Sequence, residues 1–522
     1  MKLSTLVQAV APDNPTNGFR GHDDGTPAHD PEILSLHYRA QDVKPGGIFV
    51  AISGLKADGH DYINLAIQKG ALAVVVQKPI VKDDATIIRV ADTRHALARL
   101  AARFYGNPSE TTVVIGVTGT NGKTTTTYLI ESILAQAGRH VGVIGTINYR
   151  FGTKTFANPT TTPESAELQK ILSQMKGNGV THVIMEVSSH AIAMHRADGC
   201  NFDIGVFTNL TQDHLDFHGD MEAYWACKRK MFTKLMVQGS KRQNVTAVLN
   251  CDNRYGRELA ATLPYRVISF GSGHFSDRPL NDVLASTIHF DLAGIRGRIS
   301  TPSGDINIQS VLVGRYNLEN ILAAIVVGIA LQIPIKEIQT GIEKITCIPG
   351  RLEPIINHKK RFVFVDYAHT PDALKNVLTA LNALVQGRLI CVFGCGGNRD
   401  KEKRPQMGSI AFELSDLAII TSDNPRSENP RVIIEQIRYG IKKKSAYEYK
   451  THDDVLNFNK KGFIVEEDRN TAIHIAVKAS APGDTILIAG KGHETYQIIG
   501  DQTLPFDDRE RARAALLTLR QS

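Results

Sequence analysis

The segment Thr118-Gly-Thr-Asn-Gly-Lys-Thr-Thr125 sets a lysine and two hydroxyls directly behind a glycine-rich run. An apolar stretch, Thr112 to Val117, precedes it, and a helical pattern, Thr126 to Ala137, follows. Strand, glycine loop and helix start in that order form a phosphate cradle: backbone N–H groups and the helix dipole face the anion. Lys123 is placed to reach the outer phosphates and the Thr124 hydroxyl to ligate Mg²⁺. The spacing is Gly116-x-x-Gly119-x-x-Gly122-Lys123-Thr124, distinct from GxxxxGK[ST] because Val117 stands at the first glycine position. A lone glycine turn is as readily structural, but Gly-Lys-Thr at a strand-to-helix junction favours nucleotide binding.

Two further polar clusters follow apolar runs. Thr181 to Val187 leads into Glu186-Val-Ser188-Ser189-His190, and Ile204 to Thr208 leads into Asn209-Leu-Thr-Gln-Asp213-His214-Leu-Asp216-Phe-His218. Ligands of open α/β sheets sit at the carboxyl ends of strands, so Glu186 and His214 are candidates for a metal bridging nucleotide and substrate. His190, His195 and His218 read equally as packing or turn histidines. Lys228 falls in Tyr224-Trp-Ala-Cys-Lys-Arg-Lys230, where a charge run by itself indicates a solvated helix face. Four more apolar runs near the C-terminus, Phe362 to Val365, Leu389 to Phe393, Leu417 to Thr421 and Thr485 to Ala489, each end in a polar loop, which predicts one shared crevice.

Positioning these groups requires alternating strands and helices, hence α/β architecture with parallel sheets. At about 100 to 200 residues per domain, 522 residues give two to four domains. Turn-rich Gly106-Asn-Pro-Ser109 and Pro349-Gly350 divide the chain into residues 1–108, 109–348 and 349–522. In the first block Gly47 to Ile52 and Ala71 to Val76 read as strands around a helix near Asp61 to Lys69. A net charge of +7 with no long basic run indicates no nucleic-acid partner. The apolar run Ile321 to Ile333, about 13 residues, is too short to span a bilayer and reads as a buried helix. The N-terminus lacks the pattern of a signal peptide, and the six scattered cysteines read as reduced thiols of a cytoplasmic protein rather than a disulfide or zinc framework.

Taken together, Gly119-Thr-Asn-Gly-Lys-Thr124, Glu186-Val-Ser-Ser-His190, Thr208-Asn-Leu-Thr-Gln-Asp-His-Leu-Asp216, Tyr316-Asn-Leu-Glu-Asn320, Pro349-Gly-Arg-Leu-Glu353 and Asp366-Tyr-Ala-His-Thr-Pro371 resemble the Mur ligases. These are the ATP-dependent amino-acid-adding enzymes of peptidoglycan precursor synthesis. The resemblance runs from about residue 34 nearly to the C-terminus in motif order. It implies three domains: a uridine-nucleotide-binding α/β domain, a central P-loop-type ATPase domain and a C-terminal Rossmann-like domain that takes the amino acid.

By that resemblance Gly119, Thr120, Asn121, Gly122, Lys123, Thr124, Thr125, Asn317, Arg351 and Asp366 bind ATP. Thr124, Glu186, His214 and Lys228, the last as a CO₂-derived carbamate, hold Mg²⁺, with Lys123 completing the catalytic set. Leu36, Tyr38, Leu55, Lys56, Ala57, Thr161, Thr162, Ser188, Met194 and Arg196 take the substrate UDP-MurNAc-L-Ala-D-Glu. Two of these depart from the pattern: Tyr38 stands in His37-Tyr-Arg39 where many relatives read Asp-Ser-Arg, and Met194 replaces a glutamine of some relatives. Asp423-Asn424-Pro425-Arg426 marks the members that add meso-diaminopimelate, with Arg399, Gly490 and Glu494 at the matching positions. The second amino-acid head of that substrate calls for a cation fork and an acid, which Arg399, Arg426 and Glu494 supply. A folylpolyglutamate synthetase shares the phosphate loop but lacks the N-terminal block. A nucleotide-driven motor or switch protein is disfavoured by the altered loop spacing.

Overall fold

The computed structural model describes residues 1–10, 30–54, 57–80, 84–272, 282–442 and 446–519. Leu55 and Lys56, assigned above to the uridine nucleotide, lie outside them. Three principal sheets organise the described chain. The first has four parallel strands in chain order, Ser35–His37, Gly47–Val50, Ala71–Val76 and Thr86–Arg89. Gly47–Val50 is buried at every position, the mark of a strand covered on both faces. Leu3–Val7 and Thr93–Phe104 cover one face and Ile63–Gln68 the other.

The central sheet has eleven strands. Their spatial order is Ile306–Ser310, Gly294–Ser300, Val283–Asp291, Arg266–Gly271, Thr246–Asn250, Ile204–Phe207, Val113–Thr118, His182–Glu186, Val141–Ile144, Asn148–Phe151 and Lys154–Ala157. The interior is parallel, as the alternation of apolar runs and helical patterns requires, but both edges are antiparallel. The reason is chain length: only two residues separate Phe151 from Lys154 and Asp291 from Gly294, whereas a parallel crossover needs a dozen or more. Strand Val113–Thr118 sits between the two strands that carry the polar clusters. Its register sets Val117 beside Glu186 and Thr118 beside Phe207, so the three carboxyl ends are level. The apolar run from Ile321 lies in helix Arg315–Ala330, which packs on this sheet beside helix Lys123–Gln136.

The C-terminal sheet runs Glu353–Pro354, Phe362–Asp366, Thr485–Ala489, Leu389–Phe393, Leu417–Ile420, Gly462–Val465 and Tyr447–Glu448, and only its first strand is antiparallel. Asp366 pairs with Ala489 and Phe393 with Ile420, so the four polar loops leave one edge together. A hairpin, Tyr496–Ile499 with Gln502–Pro505, follows the last of them. Among the described residues no helix is long and apolar enough to cross a membrane. Among the described residues, which include all six cysteines, there is no disulfide.

Candidate active site

Crowding explains the glycines of the phosphate loop. Gly119 has φ 150°, and a Cβ there would lie 1.9 Å from Thr208 Oγ1; Gly122 has φ 87°, and its Cβ would lie 2.2 Å from Asn320 Oδ1. The loop is held from the neighbouring strand end: Thr208 Oγ1 donates to Asn121 O at 2.6 Å, Asn121 N to Asn209 Oδ1 at 2.9 Å and Thr120 N to Asn209 O at 2.9 Å. The helix begins at Lys123, three residues earlier than the sequence pattern suggests, so Lys123, Thr124 and Thr125 form its first turn. Lys123 Nζ donates to Gly119 O at 3.0 Å and Thr120 O at 2.8 Å.

Glu186 is almost fully buried and accepts from Thr124 Oγ1 at 3.0 Å, Thr146 N at 3.0 Å and Thr146 Oγ1 at 2.9 Å. Lys228 overturns the solvated-face reading: it is 1% exposed and donates to Gly119 O at 2.8 Å. Two ammonium groups therefore meet at one carbonyl. Burial first, and the Lys123 charge second, push the pKa of Lys228 well below the usual lysine range. His214, in a left-handed conformation at φ 55°, lies 3.3 Å from Asp213 and edge-on to His190 at 4.9 Å. Burial lowers the pKa of both rings, that of His190 to about 4.

The C-terminal domain closes over this loop. Arg351 Nη2 donates to Thr124 Oγ1 at 3.1 Å, and Asp372 Oδ2 accepts from Asn121 Nδ2 at 3.0 Å and Thr211 Oγ1 at 2.7 Å. Between the domains lies a cavity of about 640 Å³, lined by Thr120 to Thr125, Glu186, His214, Asn320, Arg351 and Asp366 among others. Asp366 accepts from Leu352 N at 2.7 Å and Ala368 N at 2.8 Å, and burial raises its pKa. Asn317 departs from expectation: it is buried, does not line the cavity, and gives its amide to Val313 O at 2.8 Å. Asn320, one helical turn on, faces the cavity instead and donates to Asn317 Oδ1 at 3.0 Å.

On the C-terminal edge, Asn424 Nδ2 donates to Glu494 Oε2 at 2.9 Å, and Arg426, at φ 53°, donates from Nη1 to Gly397 O at 2.9 Å. A Cβ on Gly396 would lie 2.9 Å from Arg426 Nη1 and 3.8 Å from Arg399 Cγ, so both arginines flank that glycine. Gly490, at φ 116°, passes close to Asp423 Oδ2. Asp423 and Glu494 thus stand at the same sheet edge as Arg399 and Arg426, with Arg426 Nη1 3.4 Å from Asn424 O.

Comparison with known proteins matches the chain in three places: "Mur ligase family, catalytic domain" over residues 32–105, "Mur ligase middle domain" over 117–328 and "Mur ligase, glutamate ligase domain" over 350–492. It is 48% identical over 489 residues to the UDP-N-acetylmuramoyl-L-alanyl-D-glutamate--2,6-diaminopimelate ligase of Geobacter metallireducens, covering 94% of this chain and 95% of that one. The chain belongs to the Mur ligase family. A protein of the same name from Bacillus velezensis is 40% identical over 520 residues, covering 99% of each chain. Among solved structures, one titled as that ligase superposes with TM-score 0.67 at 29% identity, over 97% of this chain and 98% of that one. The Thermotoga maritima MurF ligase in complex with ADP gives TM-score 0.59 at 20% identity, over 92% and 96%, a likeness of fold.

In this Mur ligase the residues assigned to the muramoyl substrate collect beside Glu186 and at the junction with the N-terminal domain. Thr162 Oγ1 donates to Glu186 O at 2.8 Å, Ser188 N donates to Thr162 Oγ1 at 3.2 Å, and Thr161 Oγ1 lies 3.1 Å from Thr146 Oγ1. Arg196 donates to Thr162 O at 3.2 Å and to Met194 Sδ at 3.4 Å, while Glu164 bridges it to Arg94 of the N-terminal domain. Tyr38 faces Glu167, and burial, then that carboxylate, raise its pKa. Leu36 is buried in the N-terminal core and Ala57 is exposed.

The donor set Thr124 hydroxyl plus Glu186 carboxylate is all oxygen and suits Mg²⁺. Among the described residues no three His, Cys, Asp or Glu side chains converge on a metal position; Thr124, Glu186 and His214 line the same cavity, while Lys228 reaches Gly119 O. Sequence reasoning did not single out Thr146, Thr211, Asp372 or Lys491. The first three are ordinary polar residues in loops or a helix start. Lys491 stands beside Gly490 in a quoted loop, and its complete burial has no signature in composition.

Proposed function

We propose that this Mur ligase uses ATP to join meso-diaminopimelate to the D-Glu γ-carboxylate of UDP-MurNAc-L-Ala-D-Glu. The γ-carboxylate oxygen attacks the terminal phosphorus and ADP leaves; the amine then attacks the acyl carbon, phosphate departs and the amine loses a proton. Lys123 and the first turn of helix Lys123–Gln136 hold the phosphates, with Arg351 reaching the same place from the C-terminal side. Mg²⁺, bound by Thr124 and Glu186, would neutralise charge on the transferring phosphoryl group. Burial lowers the pKa of Lys228, which eases its deprotonation to the amine that CO₂ needs to form a carbamate, and the anion formed would relieve its conflict with Lys123. Enclosure between two domains keeps water from the acyl phosphate.

The observation that carries the choice of amino acid is that charges of both signs share one sheet edge: Asn424 joined to Glu494 at 2.9 Å, with Arg426 and Arg399 beside Gly396. An amino-acid head has both charges, and a plain lysine side chain has one. The name borne by relatives of 40% to 48% identity agrees with this reading. Phosphate release measured with the uridine-linked dipeptide and diaminopimelate, lysine or ornithine tests it: turnover is expected with diaminopimelate. Equal turnover with all three would remove the specificity, and no amide product with any would remove the ligase.

A further inference from the structure

Lys491 is fully buried at the carboxyl end of strand Thr485–Ala489, beside Asp423 and Glu494. Its ammonium donates to Asn424 Oδ1 at 3.1 Å and Glu494 Oε2 at 3.1 Å, and stands 3.7 Å from Asp423 Oδ1. Burying a lysine is costly unless its charge is matched, and here two carboxylates face one cation. The group is therefore net negative by one charge, and it borders the diaminopimelate crevice.

The bonds of Asn424 settle which way its amide points. Oδ1 accepts from Lys491 and from Ile498 N at 3.0 Å, so Nδ2 must face Glu494 Oε2. Both donors to Glu494 converge on that one oxygen. Among the described residues Oε1 accepts no hydrogen bond, and the buried Asp423 Oδ1 has no hydrogen-bond partner. Glu494 Oε1 thus remains for a donor from outside the protein, while Asp423 Oδ1 faces Lys491. Lys491 cannot itself approach a ligand, because no part of its side chain is exposed.

We infer that Lys491 is a positioning residue for the amino-acid substrate: by clamping Asn424 and Glu494 it holds the carboxylate that reads the distal ammonium of diaminopimelate. This rests on the diaminopimelate reading above. Arg399 and Arg426 read the carboxylate of the same head, and Lys491, through Asn424 and Glu494, fixes the other half of the recognition.

Steady-state kinetics of wild type, Lys491→Met, Lys491→Gln and Lys491→Arg, with thermal unfolding of each, test the inference. Truncating one partner of a buried charged network weakens binding by about 30-fold or more. Lys491→Met is expected to raise KM for diaminopimelate by that order, with KM for ATP and for the uridine-linked dipeptide changed by less than about threefold. Lys491→Arg is expected to recover much of the loss, and where Lys491→Met does not fold, the Gln and Arg variants make the same comparison. L-2-Aminopimelate, which keeps the distal carboxylate but has no distal amine, discriminates further: the penalty should nearly vanish with it. An equal penalty for both acceptors, or an unchanged KM for diaminopimelate in a folded variant lacking the charge, overturns the role of Lys491. Wild type that makes no amide from diaminopimelate overturns the underlying reading instead.

Discussion

Arg426 and Lys228 are the residues at which single charges have most to decide. The Arg426 guanidinium stands beside Gly396, and a planar fork of this kind donates two parallel hydrogen bonds to a carboxylate. Lysine as acceptor has no carboxylate there, so a site built on that bond rejects it by roughly 10⁴-fold, against about 10 to 200-fold for a difference in apolar size. Arg426→Ala is therefore expected to lower kcat/KM for diaminopimelate far more than it lowers residual lysine use; equal proportional losses would make Arg426 structural. For Lys228, Ala substitution should abolish most turnover, and short carboxylic acids should restore part of it by supplying the missing anion. Full activity of Lys228→Ala would remove the carbamate. Glu319, on the cavity wall, gives a signed pH test. Burial, then the Asp252 carboxylate, raise its pKa to about 7, so between the ordinary carboxylate range and 7 the folded state binds more protons than the unfolded one. Stability contributed there is present at low pH and lost as pH rises through 7. Glu319→Gln, which still accepts from Asn250 Nδ2, should raise the unfolding temperature of nucleotide-free protein more at pH 8 than at pH 5. The reverse order would show that the carboxylate is stabilised as an anion.

Elements were more legible than the contacts between them. Apolar runs of strand length announced the interior strands because a strand covered on both faces is buried at nearly every position and so is almost wholly apolar, as Leu389–Phe393 is throughout and Thr485–Ala489 is after its first residue. The antiparallel edges were not announced: Lys154–Ala157 is exposed along its whole length and carries no burial pattern. For the site, the phosphate loop could be read because glycine, lysine and threonine have few other reasons to share that spacing. Asp372 was illegible, since an aspartate in a helix's first turn is ordinary on helix-dipole grounds alone. Buried ion pairs at element ends were equally hidden. Arg469 and Asp508 are both fully buried, joined by two bonds of 2.7 Å, and Arg469 Nη2 also donates to Ala489 O at 2.9 Å, just before the Gly490 loop. Arg469→Met leaves Asp508 buried and unpaired and should cost about 3 to 5 kcal/mol in denaturant unfolding of the C-terminal domain. Arg469→Met with Asp508→Leu should recover much of that, since a packed apolar pair replaces two buried charges without leaving one alone. No recovery would mean that the bond to Ala489 O, rather than the ion pair, holds the strand end.

At the scale of the molecule, the central and C-terminal domains meet through polar contacts to the phosphate loop itself. Asp372 takes Asn121 and Thr211, and Arg351 takes Thr124, so the groups that grip the loop are the groups a nucleotide must pass. Polar interfaces between domains favour relative motion, and a hydrogen bond to a charged group is worth about 1.5 to 3 kcal/mol. Removing the Asp372 carboxylate, with two such bonds, should shift the balance between joined and separated domains by about a hundredfold or more. Asp372→Ala is accordingly expected to enlarge the radius of gyration of the unliganded protein in small-angle scattering. Saturating ATP and uridine-linked dipeptide should return it to the wild-type liganded value, because Arg351 and the bound phosphates then span the same gap. The cost of that return appears in binding: KM for ATP should rise while the liganded radius does not change. If the unliganded radius of Asp372→Ala equals that of wild type and KM for ATP is unaltered, the domains are held by their apolar contacts, and Asp372 serves only to shape the loop.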